Sequence, residues 1–213
     1  MSAENSPTQH SGSPTRGKSE GRLQRAAAAG GAYISTFRQV VARHGTTMGL
    51  IALGGLLLTQ PYQALATTTQ TFAKIPWAYF AAGGVLVIFF AFYQLRRGRG
   101  LSQRNGFWLG YLLYISVVEE VAFRLVLPTW LEGGVGFTAA VVLSNLIFAG
   151  IHYVTLRWRW RNCVFTFVGG LGFSHMLNLH QDLVLVILAH WFFTFLNTPV
   201  PPSRADKLPP SNS

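Results

Sequence analysis

Two adjacent carboxylates, Glu119 and Glu120, lie inside an otherwise apolar stretch at 107–130, and Arg124 follows four residues after the second. An ionisable group in the hydrocarbon core of a membrane costs about 2.5–3.5 kcal/mol even on the lenient insertion scale. Such groups are retained there when they pair, face a wet cavity or do chemistry. The default hypothesis for this stretch is therefore an active site within a membrane.

Helical geometry predicts different roles for the two glutamates. Positions i and i+4 share one face of a helix, so Glu120 is predicted to pair with Arg124. Glu119 is rotated by about 100° around the helix and remains available to act as a general base. A simpler interpretation, in which both glutamates serve a structural ion-pair network, stays open at this point.

Two histidines are the candidate partners of the acidic pair. His152 ends an apolar run and His190 stands in the middle of another, so each imidazole needs a polar partner or a cavity. Their presence beside the glutamates predicts one shared site built from three helices. The other four histidines are expected to be loop or interface groups, or to lie outside the spans altogether: His175 and His180 in the first case, His10 and His44 in the second.

The composition predicts an all-α, multi-pass transmembrane bundle. Of the 213 residues, 50% are hydrophobic and only 11% are charged, whereas soluble domains are about 25% charged. A span needs about 20 residues. The apolar stretches predict about six spans, at 46–66, 76–95, 107–128, 136–156, 162–179 and 183–198. Three glycines are expected to interrupt the fifth span: Gly169, Gly170 and Gly172.

The flanking regions predict three parts of the chain. Residues 1–44 form a basic, disordered tail with a short amphipathic helix at 26–43, residues 45–199 form the transmembrane domain, and residues 200–213 form a second disordered tail. The run Ala64-Leu65-Ala66 resembles a signal-peptidase site. We expect the first span to be retained, with cleavage there as the alternative.

The basic residues predict the orientation in the membrane. If the N-terminus is cytoplasmic, 15 of the 17 lysines and arginines fall on the cytoplasmic side, as the positive-inside rule requires. An integral protein of the plasma (inner) membrane with both termini inside is therefore expected. The run R-W-R-W-R at 157–161 indicates an interfacial belt that meets anionic lipids rather than nucleic acid.

The site motifs carry a family resemblance over roughly 110–198. The order E-E-x-x-x-R, then F-x-x-x-H ending at His152, then His190 after a glycine-rich V-G-G-L-G segment, resembles the CAAX-protease and bacteriocin-processing family. The resemblance implies an intramembrane endopeptidase that cleaves a peptide bond of a membrane-associated or prenylated substrate. It also implies that Glu119 activates a water, that His152 and His190 assist proton transfer and stabilise the oxyanion, and that Glu120 and Arg124 organise the site.

One position departs from the family pattern. The last family motif is usually H-x-x-x-N, but here Thr194 follows His190 at that spacing. Loss of one oxyanion donor typically costs about 10²–10³ in rate, and Asn145 is a candidate substitute. Cofactor use stays open between none and zinc, and a zinc ion would be held by Glu119, His152 and His190.

Two further functions remain as alternatives. A catalytically impaired family member could act as a membrane scaffold or partner-binding subunit, which the threonine at 194 motivates. A small transporter or proton-relay protein would also place Glu, Arg and His within a membrane.

Overall fold

The structure is a computed structural model, and it describes residues 23–24, 34 and 36–202. The predicted disordered stretch at the N-terminus, the first part of the predicted amphipathic helix at 26–43 and most of the predicted C-terminal tail lie outside the described residues.

The described part of the chain is helical and contains no strand, so the all-α prediction is confirmed. The continuous helices are α1 (Phe37–Thr59), α2 (Tyr62–Lys74), α3 (Pro76–Arg96), α4 (103–135), α5 (Phe137–Thr155), α6 (Trp160–His180) and α7 (Leu183–Asn197). Short connections join them.

Two helices widen locally into π-helical turns. In α1 the π segment is Val41–Gly45, and in α4 it is Val121–Val126, directly after the acidic pair. Such segments are rare and occur often at functional sites, because the extra residue in the turn changes the direction of the side chains around it.

Local sequence explains several helix ends. Ser102 and Asp182 cap α4 and α7 by accepting hydrogen bonds from backbone N–H groups three residues later. Pro76 occupies the first turn of α3, where a missing N–H costs nothing. Gly136, with φ of 79°, separates α4 from α5 in a conformation that other residues rarely adopt.

The first predicted span, 46–66, is wrong at both ends. The helix begins at Phe37, inside the predicted amphipathic segment, so the predicted domain boundary at 44 falls within α1. It ends at Thr59, because Gln60 takes a left-handed conformation and Pro61 cannot donate to the preceding turn. The predicted interruption of the fifth span is also wrong, because α6 continues through all three glycines.

Three of the described helices are long and apolar enough to cross a membrane, namely α1, α3 and α5, and α7 is apolar but shorter. Large apolar side chains point outward from α3, among them Trp77, Phe80 and Ile88, each 71% exposed. A surface of this kind suits lipid rather than water. The full number of six spans stays a prediction.

Helix α4 lies at the centre of the bundle and packs against α1, α5 and α7. Its buried positions, including Leu112, Ile115 and Ser116, recur at helical spacing and lead directly to Glu119. The side chains of Met48, Phe148 and Trp191, from the three neighbouring helices, belong to the same apolar core. The acidic pair is therefore carried by a helix that all three of these neighbours contact.

Candidate active site

Glu119 is the centre of a buried polar cluster. Its Oε1 lies 2.9 Å from Nε2 of His44 and 3.5 Å from Nε2 of His152, and its Oε2 lies 3.5 Å from Nε2 of His190. The glutamate is only 2% exposed. The structure thus brings together the three residues that the sequence nominated as catalytic, Glu119, His152 and His190, and adds one that it did not.

Glu120 forms a second layer behind this cluster. Its Oε2 lies 3.1 Å from Nε of Arg124, so the predicted i,i+4 pair is present, and both side chains are fully buried. Its Oε1 is 2.6 Å from Nδ1 of His190. His190 therefore bridges the two carboxylates, with one ring nitrogen directed at each.

The Arg124 guanidinium is held by rings as well as by charge. It lies 4.4 Å from the ring centroid of Phe148 and 5.8 Å from that of Phe173, in cation–π geometry. Phe173 also stacks on His190, with 5.1 Å between ring centroids. These aromatic side chains keep water away from the ion pairs and thereby strengthen them.

The position of the proton on His152 follows from its backbone contact. Nδ1 lies 2.9 Å from the carbonyl oxygen of Phe148. A carbonyl only accepts, so Nδ1 carries the hydrogen and donates it. This hydrogen bond turns Nε2 toward Glu119 and fixes the ring, which also packs edge-on against Phe148.

His44 was expected to lie outside the spans and the site, and that expectation is wrong. It sits in the π segment of α1, is 3% exposed, and makes the shortest contact to Glu119. Its Nδ1 lies 2.8 Å from Oγ1 of Thr155, whose hydroxyl donates to the carbonyl oxygen of Ile151. The hydroxyl oxygen is therefore the acceptor, and Nδ1 of His44 carries the hydrogen.

The sequence did contain a signal for His44. Every fourth residue from Val40 onward is buried in α1, at Val40, His44, Met48 and Ala52, which is the spacing of one helix face. Two exposed arginines beside this face, Arg38 and Arg43, made the segment look like a surface helix. The predicted span began at residue 46, but the buried face continues on the N-terminal side of that residue and includes His44.

The two positions proposed to replace the missing family asparagine behave differently. Thr194 makes no hydrogen bond to the cluster through its side chain among the described residues, and it is only half-buried. Asn145 is fully buried and donates from Nδ2 to the Val141 carbonyl and to Oγ of Ser174. Both of its N–H donors are engaged, so a supporting role beside Arg124 suits Asn145 better than an oxyanion contact.

A metal ion would find a different set of ligands from the predicted one. The donor atoms of His44, Glu119 and His152 all lie within 4.8 Å of one another, and all three residues are buried. His190 is not part of this group. Its Nδ1 is directed at Glu120 and its Nε2 at the other carboxylate oxygen of Glu119. Two imidazoles and one carboxylate form a donor set that fits zinc.

Fold and site together define the class, which is an all-helical membrane protein with a buried centre of acid and histidine side chains. Residues 101–196 match the family model described as type II CAAX prenyl endopeptidase Rce1-like. The resemblance seen in the sequence is thereby confirmed, and the match covers just under half of the length of the chain. No curated protein and no solved structure matches the chain. His44 lies outside the matched segment.

Proposed function

We infer that the protein is an intramembrane endopeptidase that hydrolyses a peptide bond of a membrane-associated or prenylated substrate. The observation that carries this proposal is the carboxylate of Glu119, buried among three imidazoles. A structural ion pair would be complete with Glu120 and Arg124 alone. The second carboxylate and its histidines form an arrangement suited to moving protons.

The chemistry proposed is direct attack by water. Glu119 takes a proton from a water molecule whose oxygen attacks the scissile carbonyl carbon, and the carbonyl oxygen becomes an oxyanion. His190, with Nε2 at 3.5 Å from Oε2 of Glu119, is the next group in line to pass a proton to the leaving amine. His152 lies on the opposite carboxylate oxygen. Because its Nδ1 donates to the Phe148 carbonyl, its Nε2 stabilises the oxyanion only when that atom carries a second hydrogen.

Glu120 and Arg124 are proposed as positioning residues. Glu120 holds Nδ1 of His190 at 2.6 Å, which directs the other ring nitrogen at Glu119. Arg124 balances the charge of Glu120 in a setting without water. Neither residue needs to touch the substrate for this role.

The substrate would reach the site from the membrane or from the cytoplasmic face. This proposal rests on the expected topology of six spans with both termini inside, in the plasma membrane. The helix α5 ends at Thr155, shortly after His152, and the basic residues Arg157, Arg159 and Arg161 follow. The catalytic histidine would then lie near the cytoplasmic headgroups, where these arginines meet anionic lipids.

The substitution Glu119→Gln tests the proposal. It keeps the size of the side chain but removes the base, so cleavage should fall by about 10²–10⁴-fold. Full-length protein in liposomes would be assayed on matched reporter peptides with and without a C-terminal prenyl group. Glu132→Gln is the control, because Glu132 is an exposed acid of the same helix. Equal cleavage by Glu119→Gln and wild type would reject the mechanism.

The scaffold alternative keeps one observation in its favour. Thr194, at the position of the family asparagine, makes no contact with the cluster through a side-chain hydrogen bond in the described part of the chain. A scaffold would retain its partners and its phenotype in the Glu119→Gln variant, whereas a peptidase would lose processing. The same variant therefore separates the two functions.

A further inference from the structure

We propose that His44, His152 and Glu119 form a binding site for one divalent cation of the zinc type. His44 belongs to α1, outside the segment matched by the family model, so the proposed site joins that segment to α1. The donor atoms of the three residues lie within 4.8 Å of one another.

The first argument concerns the lone pairs of the two imidazoles. Nδ1 of His44 donates to Thr155, and Nδ1 of His152 donates to the Phe148 carbonyl. A neutral imidazole has one N–H, so Nε2 of each ring then carries a lone pair. Both Nε2 atoms are directed at Oε1 of Glu119, which also offers only lone pairs. Electron pairs converging from three sides favour a cation between them.

The second argument concerns the groups behind the ligands. Metal-binding histidines in proteins almost always donate the other ring N–H to an acceptor such as a carboxylate, a backbone carbonyl or a water, which fixes the tautomer and the ring direction. Both histidines of the proposed site meet this requirement through residues of α5. Thr155 is itself fixed, since its hydroxyl donates to the Ile151 carbonyl at 2.7 Å.

The third argument concerns burial and charge. His44, Glu119 and His152 are at most 5% exposed. Two carboxylates and one guanidinium leave an excess negative charge in this buried cluster, and a buried charge requires compensation. His190 is the alternative source of this compensation, because its two ring nitrogens face the two carboxylates.

The inference deepens the proposed function and rests on it only for its catalytic meaning. A zinc-type cation would supply Lewis acidity toward an oxygen of water or of the scissile carbonyl. Such a cation would compensate for the family asparagine that Thr194 replaces. Oε2 of Glu119, on the side of His190, would stay free to accept a proton.

Metal content is the test, measured on full-length protein purified in detergent without chelators and then incubated with zinc. Wild type should retain one zinc ion per chain after removal of free metal. His44→Gln should lose it, because the amide can still hydrogen-bond to Glu119 but is a poor zinc ligand. His190→Gln should keep it, since His190 lies outside the ligand set. His180→Gln, at an exposed histidine of α6, is the control.

Two further measurements keep the result interpretable if a variant misfolds. Zinc should raise the melting temperature of wild type, and Co²⁺ should give the visible absorption of a tetrahedral site. Wild type that binds neither ion would overturn the proposal, as would a folded His44→Gln variant that retains zinc. Peptidase activity in metal-free protein would show that catalysis does not need the cation, and it would leave the proposed function intact. The failure of the cation site and the failure of the proposed function are therefore distinguishable.

Discussion

Gly170 of α6 offers a sharp test of how tightly the site is packed. A Cβ atom at this position would lie 2.3 Å from Oδ1 of Asn145 and 3.0 Å from Nη2 of Arg124. Asn145 cannot easily move, because its Nδ2 donates hydrogen bonds to the Val141 carbonyl of α5 and to the Ser174 hydroxyl of α6. Gly170→Ala should therefore destabilise the fold and displace the guanidinium.

The adjacent Gly169 makes the magnitude measurable. A Cβ there would meet no atom within 4 Å. Alanine is more favourable than glycine inside a helix, so Gly169→Ala should raise the free energy of unfolding by about 0.5–1 kcal/mol. The same gain applies at Gly170, so it cancels in the difference between the two variants. What remains is the cost of overpacking, about 1–3 kcal/mol.

Thermal unfolding in detergent is the assay. For a chain of this size 1 kcal/mol corresponds to about 2–4 °C, so Gly170→Ala should melt about 2–12 °C below Gly169→Ala. Cleavage should also fall in Gly170→Ala alone, because only that substitution disturbs Arg124. If the two variants melt together, α6 does not approach the site as closely as the structure indicates, and the account of Arg124 fails.

Two further substitutions probe the charges. Arg124→Ala leaves the buried carboxylate of Glu120 without its partner, which should cost about 3–5 kcal/mol; the exposed Arg96→Ala should cost at most about 1 kcal/mol, and similar melting temperatures for the two would contradict the buried pair. Asp182→Ala removes the acceptor for the backbone N–H of Leu185 and should cost about 0.5–2 kcal/mol. Asp182→Asn should keep most of that stability, and an equal loss in both variants would show that capping is not the cause.

The helices with clear start and stop signals could be predicted well from the sequence. The predicted span at 76–95 corresponds to α3 at Pro76–Arg96, and the span at 183–198 corresponds to α7 at Leu183–Asn197. In both cases a proline or a capping aspartate marks the start and the apolar run ends in polar or basic residues. Local chemistry is sufficient there because no distant contact has to be known.

Helix α1 shows where local rules fail. The basic residues Arg38 and Arg43 lower the apolar character of its first turns, so the predicted span began only at 46. In the structure both arginines are exposed while Val40 and His44 face the bundle. The helix is continuous because its inner face packs on α4 and α5, and an average over both faces hides that fact.

The acidic and basic members of the site were predictable for a different reason. Glu119, Glu120 and Arg124 stand out because charges in an apolar stretch are costly and need an explanation. The π turn that follows the glutamates is not predictable from residue types, since it depends on how α4 packs against its neighbours. The direction of each carboxylate, and hence the division of the histidines between them, follows only from that packing.

The contacts of Glu119 argue that the family-matched segment is not self-sufficient. Within 101–196 the nearest ring nitrogens to this carboxylate are those of His152 and His190, each at 3.5 Å, which is beyond the usual range of a strong hydrogen bond. Among the residues that the structure describes, the ring nitrogen nearest to Glu119, at 2.9 Å, belongs to His44. His44 is in turn tied to α5 through Thr155. Because a buried carboxylate without a close partner is costly, α1 has to be in place before Glu119 can occupy this position.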